Sequence, residues 1–486
     1  MLIVSICAKN YQVAFEQIKE ARRYPVDAVE LRLDYFERLS VKEIKEIKKH
    51  FDIPMIFTLR NKSQGGIFKG TEKERLKLIE NLFSLEPEYF DLEYNTSKIF
   101  IKKLSKQYPK VTVICSYHNF KNTPVDLSKI LSIMRRNIYS IYKIACKANS
   151  IIDSLRMLQF VKNSSEIGLL VAGICMGDLG RVSRILSPIF KSRLNYACLT
   201  DSLSTADGQI TIAELCETYN YRFLDVDTKI YALLGDPVAQ SVGHIFHNSY
   251  FKARNINAVY VKLKVKTSEL FKVLQFIKDM PFRGVSVTMP HKEAVISMLD
   301  KVSDSVKHIG AVNTILIKEG NFLGFNTDGI GALNVLESKE KGSVSRRQII
   351  IIGAGGTASA IAYEALLRNA YVIILNRTKN SRKKLAKLFA CSESDLDYLG
   401  AIKKIEYLIN ATSVGMDVKD KFPADLSGVD SNTIVLDVVM PKKNIKTNFV
   451  LKAEKKDAIV FDGRDLFIAQ AKEQQYLWFC RKYWQR

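Results

Sequence analysis

Eight short apolar runs follow one another through the first half of the chain: Leu2–Ala8, Ala28–Asp34, Met55–Arg60, Tyr89–Tyr94, Val111–His118, Ile141–Ala148, Gly168–Met176 and Asn195–Thr200. Segments with helical spacing separate them, among them Val41–His50, Thr71–Ser84 and Asp153–Lys162. A short apolar run reads as a strand buried on both faces, and strands alternating with helices belong to parallel sheets. Eight such units in roughly 220 residues predict a (β/α)8 barrel, for which ~250 residues is usual. Two separate α/β sheets satisfy the same alternation.

The polar residues of these runs gather at one end. Glu30 and Arg32 stand late in the second, Arg60 closes the third, Asp91 and Glu93 the fourth and His118 the fifth, with Met176 on the seventh. Barrels of this kind carry their active sites at the C-terminal ends of the strands. The sixth run holds one amine, Lys143, between Tyr142 and Ile144. Desolvating an ammonium is costly and favours the neutral, nucleophilic amine, so Lys143 is a candidate Schiff-base former. A strand-end lysine whose head reaches water is the plainer alternative. The joint placement predicts a pocket in which Lys143 meets a histidine, carboxylates and arginines.

A chain of 486 residues has room for two to four domains, and 47% hydrophobic with 26% charged residues is the balance of a globular protein. No apolar run approaches the ~20 residues that cross a bilayer. Met1–Cys7 reads as a first strand rather than a signal or transit peptide, and the eight cysteines stand singly, so reduced, buried thiols in a cytoplasmic protein are expected. The six histidines lack metal-ligand spacing, and no metal is expected. The net charge of +22 is spread along the chain without a nucleic-acid motif. It predicts a basic surface that draws small anionic substrates, with neither nucleic acid nor membrane as partner.

After Asp225-Val226-Asp227-Thr228, too short for a flexible linker, a new strand Lys229–Leu234 begins. Four polar sets then follow apolar runs: Gly235–Asn248, Gly284–Lys292, Gly310–Thr314 and Gly324–Gly329. Turn and cap chemistry accounts for Thr288 or Asn326 singly. All four sets together suit a polyhydroxylated ligand. Gln348–Ile352 runs into Gly353-Ala354-Gly355-Gly356, then a helix-like Thr357–Arg368 and a strand Tyr371–Leu375. A glycine turn between strand and helix places phosphate at the helix N-terminus. The second strand ends in Asn376-Arg377-Thr378, where NAD-binding domains usually carry an acid. Arg377 suits a 2′-phosphate, so NADP is expected. Lys379 and Arg382 either reinforce it or form an ordinary basic helix start.

Val29–Asp34, Thr58–Arg60, Asp91–Glu93, Ser116–Phe120, the Lys143 strand, Met176 with Val182–Arg184, and Thr205–Gln209 closely resemble, in this order, the type I 3-dehydroquinate dehydratases. The resemblance runs over about residues 1–222. It implies an imine between Lys143 and the substrate ketone, with His118 moving protons and Arg184 gripping the substrate carboxylate. Glu30, Arg32, Arg60, Thr205 and Gln209 then fix the hydroxyls and the local charge. Gln64 stands where the family carries a glutamate, which predicts weaker support for a protonated His118. Asp207 replaces a proline, which predicts a less rigid Thr205–Gln209 loop.

From about residue 228 to 486 the four polar sets, Ile409–Met416 and Asp462–Ala471 resemble shikimate dehydrogenase. This implies a substrate domain over 228–330, completed by a C-terminal helix over 465–486, and a Rossmann NADP domain over 331–464. Lys292 and Asp328 become the catalytic pair, and Ser241, Thr288, Asn313 and Gln470 bind ring hydroxyls and carboxylate. Gly243, Ser286 and Met440 replace a usual serine, asparagine and tyrosine. His244 is offered as a replacement for the hydroxyl missing at Gly243. The expectation is a bifunctional enzyme whose first half makes 3-dehydroshikimate and whose second reduces it with NADPH. A quinate- or NAD-preferring second half, and a metabolite-sensing regulator without turnover, are the rivals. Oligomeric state and transfer of the intermediate between sites stay open.

Overall fold

The structure, a computed structural model, describes residues 1–135, 139–338, 342–415, 422, 424–440 and 445–480. Met416, at the end of the Ile409–Met416 motif, and 481–486, at the end of the expected 465–486 helix, lie outside the described residues. The chain divides into two compact units, Met1–Pro281 and Phe282–Arg486.

All eight apolar runs of the first half are strands: β1 (Leu2–Ile6), β2 (Ala28–Arg32), β3 (Met55–Thr58), β4 (Tyr89–Glu93), β5 (Thr112–Asn119), β6 (Ile141–Lys147), β7 (Val171–Met176) and β8 (Asn195–Ala197). They form one parallel sheet in sequence order, with β8 beside β1. On the remaining side the N–H of Arg193 donates to the carbonyl of Val171 at 2.8 Å. One α/β barrel, rather than two sheets, satisfies the alternation.

Period-two alternation sorts each strand. Outward residues such as Val4, Val29, Phe57, Phe90 and Ile144 are fully buried beneath the helices. Each stabilises the fold by roughly 1.5–3 kcal/mol. Inward residues change character along the axis. Ile3, Ala28, Ile56, Ile114, Ile141 and Ala172 fill the N-terminal end. Two residues further along the same face come Ser5, Glu30, Thr58, Ser116 and Lys143. The barrel therefore has an apolar floor and a charged mouth.

The helices are set by local chemistry. Thr71 and Glu74 form a capping box on the helix Glu72–Phe83, and Ser150 with Asp153 does the same for Ile151–Glu166. From the former helix, the buried Arg75 donates to Leu59 O at 2.8 Å and to Glu93 Oε2 at 3.0 Å, so helix packing also orients a mouth carboxylate. The first unit continues with β9 (Lys229–Gly235) and β10 (Ala258–Lys264), paired in parallel around the helix Gly243–Ala253, and closes with the helix Leu270–Asp279.

In the second unit, β11 (Phe282–Val287), β12 (Lys301–Val302), β13 (Thr314–Lys318) and β14 (Asn321–Phe325) lie in the order β11-β13-β14-β12. Glu319 and Gly320, at φ 51° and 76°, make the tight β13–β14 turn, a conformation that suits glycine. Six parallel strands follow: β15 (Gln348–Ile352), β16 (Tyr371–Leu375), β17 (Ser392–Ser394), β18 (Tyr407–Asn410), β19 (Ile434–Asp437) and β20 (Ile459–Phe461). Their order, β17-β16-β15-β18-β19-β20, is that of a doubly wound dinucleotide fold. Ile349 and Ile351 enter one core and Ile350 and Ile352 the other, which explains the unbroken apolar run. The helix Gly463–Phe479 packs along Asp328–Glu337. Its Trp478 Nε1 donates to Ile315 O at 3.2 Å, and a Cβ on Gly284 would lie 2.3 Å from that nitrogen.

All eight cysteines are free. Cys115, Cys146, Cys175 and Cys198 are buried, whereas Cys7, Cys216, Cys391 and Cys480 are only half-buried.

Candidate active sites

The mouth of the barrel opens into one pocket lined by nine of the residues singled out there: Glu30, Arg32, Arg60, His118, Lys143, Met176, Arg184, Thr205 and Gln209. Lys143 is buried, and the ammonium that burial penalises is not solitary. Its Nζ donates to Asp91 Oδ2 at 3.0 Å, lies 3.8 Å from Glu30 Oε1 and sits 3.9 Å from the centre of the Tyr196 ring.

Each carboxylate is held in turn. Asp91 meets Arg60 Nη2 at 2.9 Å and accepts from Ser116 Oγ at 2.6 Å. Burial opposes its charge, but Arg60 and Lys143 outweigh that and keep the carboxyl well below its ordinary range. Glu30 accepts from Ser5 Oγ and Thr58 Oγ1, both at 2.8 Å. Asp34 takes the Arg32 guanidinium in a two-pronged bond at 2.8 and 2.9 Å.

Two groups are left open to a ligand. Burial first, then the cations Arg60 and Lys143, press His118 well below its ordinary value of 6.5, so the imidazole is neutral at neutral pH. Its Nδ1 is buried without a hydrogen-bond partner. Arg184 is buried with no carboxylate partner among the described residues. Its Nη1 reaches only Tyr196 O at 3.2 Å, Nε has no partner, and burial brings the guanidinium down to about 10. An unmatched buried guanidinium is a site for a planar carboxylate.

Gln64 Oε1 accepts the backbone N–H of His118 at 3.1 Å, so this amide supports the backbone beneath the histidine. The Thr205–Gln209 loop is anchored at several points. Asp207 pairs with Lys147 and its carbonyl accepts from Gly177 N at 2.8 Å, while Thr205 N donates to Gln209 Oε1 at 2.8 Å. Ser5 and Tyr196 were not singled out, and their one signal is the inward parity of their strands; Ser116 stood in a quoted motif without a role of its own.

In the second unit Lys292 Nζ lies 2.5 Å from Asp328 Oδ2. Asn313 Nδ2 donates to Asp328 Oδ1 at 2.7 Å, to Thr327 Oγ1 at 2.9 Å and to Gln470 Oε1 at 3.2 Å. Lys292, Asp328, Asn313 and Gln470 are thus joined in one network. Thr288 is half-buried outside it, its carbonyl accepting from His291 N at 3.0 Å. The Ser286 hydroxyl is engaged by Gln474 Oε1 at 2.8 Å. In the first unit, Ser241 Oγ accepts from Gly243 N at 3.2 Å. His244 has a buried, unpartnered Nδ1, and burial brings its imidazole down to about 4. Met440 is exposed just beyond β19.

The glycine turn follows β15. Gly353 has φ 126°, and a Cβ there would lie 2.7 Å from Ala411 O. Beside Gly355 nothing lies within 4 Å, and beside Gly356 only Ala311 Cβ does, at 4.0 Å. Ala354 completes the turn, and no side chain caps the helix Gly356–Leu367. Open space and uncapped N–H groups at a helix N-terminus fit a dinucleotide pyrophosphate. Asn376, Arg377 and Thr378 follow β16, with Arg377 exposed. Arg382 is engaged elsewhere, 2.5 Å from Glu393 and 3.1 Å from Asn376 O, so it braces the strand end. Among the described residues no group of three His, Cys, Asp or Glu is placed to hold a metal ion.

The chain matches family models described as type I 3-dehydroquinase over residues 2–226, shikimate dehydrogenase substrate binding domain over 233–315, and shikimate/quinate 5-dehydrogenase over 335–456. It is 35% identical to the chloroplastic bifunctional 3-dehydroquinate dehydratase/shikimate dehydrogenase of Arabidopsis thaliana, over 98% of this chain and 81% of that protein. It is 32% identical to the shikimate biosynthesis protein AroDE of Chlamydia pneumoniae, over 99% of this chain and 95% of that one. A shikimate dehydrogenase (NADP(+)) of Pyrococcus furiosus is 40% identical over 52% of this chain and 90% of its own length.

Proposed function

The chain belongs to the bifunctional 3-dehydroquinate dehydratase/shikimate dehydrogenase family, and on that premise we propose how its residues divide the two reactions. It is a lyase joined to an NADP-dependent oxidoreductase of the shikimate pathway. Residues 1–222 form the dehydratase barrel, 228–330 with 465–486 the substrate domain of the dehydrogenase, and 331–464 its NADP domain.

Lys143 Nζ adds to the ketone carbon of 3-dehydroquinate and water leaves, giving a protonated imine that acidifies the neighbouring C–H. The neutral His118 takes that proton and passes one to the departing hydroxyl, which leaves as water. A further water hydrolyses the imine, releasing 3-dehydroshikimate and the free lysine. Arg184 holds the substrate carboxylate, and Asp91, fixed by Arg60, balances the cationic intermediates. Glu30, Arg32, Thr205 and Gln209 orient the hydroxyls, and Met176 walls the pocket.

In the second reaction Lys292 exchanges the proton of the ring hydroxyl, and Asp328 holds and polarises it. When bound, the NADP nicotinamide supplies or accepts the hydride. Ser241, Thr288, Asn313 and Gln470 bind the ring hydroxyls and carboxylate. Gly353, Ala354, Gly355 and Gly356 cradle the pyrophosphate, and Asn376, Arg377 and Thr378 meet the adenosine end, with Arg377 on the 2′-phosphate. The partners are small molecules: 3-dehydroquinate, 3-dehydroshikimate and shikimate. Among the described residues no helix is long and apolar enough to cross a membrane. The eight free thiols support a cytoplasmic setting.

The observation that carries this reading is the buried Lys143–Asp91 pair at 3.0 Å, in a pocket with a neutral histidine and an unmatched arginine. Purified protein given 3-dehydroquinate should develop enone absorbance, which should then decay as NADPH is oxidised. Persistent enone would overturn the roles given to the second half. No enone would overturn those given to Lys143 and His118.

A further inference from the structure

One aromatic side chain in the dehydratase pocket has no part in the chemistry above. Tyr196, on β8, is 4% exposed and lines the pocket with its backbone carbonyl on Arg184. Its hydroxyl is buried without a partner, and burial, then Glu30 and Asp91, push the phenol well above its ordinary range, so the ring is a neutral phenol. The ring face lies 3.9 Å from Lys143 Nζ, well inside the ~6 Å over which a cation is attracted to an aromatic face.

The partners of Nζ change during the reaction. As an ammonium it carries three N–H bonds and can serve Asp91 at 3.0 Å and Glu30 at 3.8 Å together. When the amine adds to the ketone and water leaves, the nitrogen keeps one N–H, and the positive charge spreads over nitrogen and the former carbonyl carbon. At most one carboxylate can then receive a hydrogen bond. Attraction to a π face needs no N–H, because it acts on the charge itself. A buried ring beside the nitrogen is therefore a partner that survives the conversion from ammonium to iminium.

We infer that Tyr196 is a positioning residue for the dehydratase reaction, its ring face holding the protonated imine formed on Lys143. The inference rests on Lys143 being the Schiff-base residue. It assigns the role to the ring and none to the hydroxyl, whose loss leaves the face in place.

Sodium borohydride reduces the imine and locks substrate or product onto the lysine, and intact-protein mass spectrometry reads the trapped fraction. Wild-type protein should be trapped. Tyr196→Phe should be trapped within about twofold of wild type, and Tyr196→Leu should lose about tenfold or more in trapping rate and in kcat, with a smaller change in KM. Shikimate oxidation by the same preparations checks that each variant is folded. Mono-, di- and trifluorophenylalanine placed at 196 drain charge from the ring face while nearly keeping its shape. Trapping should fall stepwise with fluorine count, a readout that stands even if Tyr196→Leu is insoluble. Undiminished trapping across the fluorinated series, or a Phe variant as impaired as the Leu variant, would overturn the role of the ring. Wild-type protein that cannot be trapped would overturn the assignment of Lys143 itself.

Discussion

His118 shares its pocket with four cations, and burial first, then Arg60 and Lys143, keeps its imidazole well below 6.5. A general base works when neutral, so a depressed value carries the active form to lower pH. The sign is definite: kcat/KM for dehydration should stay level as pH falls through 6.5 and decline only below it. A pH–rate profile with its acid limb centred at or above 6.5 would contradict the arrangement. At this scale the sequence showed what is chemically unusual. A lysine inside an apolar run and a histidine at a strand end stand out because such residues are costly there. Ser5 and Tyr196 are ordinary strand residues, and only the register that turns them inward makes them part of the pocket. Gln64 was tied to His118 by resemblance, but that its amide meets the backbone N–H of a residue 54 positions away was not legible.

Strands buried on both faces announce themselves as apolar runs, which is why every barrel strand was legible. Their ends were not: β8 shrinks to Asn195–Ala197 within the run Asn195–Thr200, and the next residues turn into a pocket loop. Two-residue β12 and the polar β17 leave no periodic trace at all. The end of β16 shows how structure separates two basic residues that read alike. Arg382 is committed to Glu393 and to the Asn376 carbonyl, whereas Arg377 is exposed where the adenosine end is assigned. A charge-assisted bond contributes roughly 1.5–3 kcal/mol, so Arg377→Asp should weaken NADP binding by about tenfold or more and NAD binding far less. Dissociation constants for both nucleotides, by calorimetry on the full-length protein, provide the check. Equal losses would move the 2′-phosphate away from Arg377.

The two lysines to which we assign the chemistry sit on different scaffolds and in different compact units. Lys143 is fixed by carboxylates on alternate strands of the one barrel sheet, while Lys292 belongs to a network closed by Asp328 and Asn313 in the second unit. Among the described residues, no side-chain partner of one lysine is a partner of the other. Substitutions without shared partners are close to independent, so the activities should be separable by single changes in the whole protein. Lys143→Ala removes the amine on which the imine depends and should abolish 3-dehydroquinate dehydration, leaving shikimate oxidation within about twofold. Lys292→Ala should lower shikimate oxidation by about 10²–10⁴-fold and spare dehydration. A mixture of the two variants should then convert 3-dehydroquinate to shikimate, because one supplies the enone that the other reduces. If either substitution silenced both reactions in folded protein, the two chemistries would share a residue, and the division between barrel and dehydrogenase would have to be redrawn.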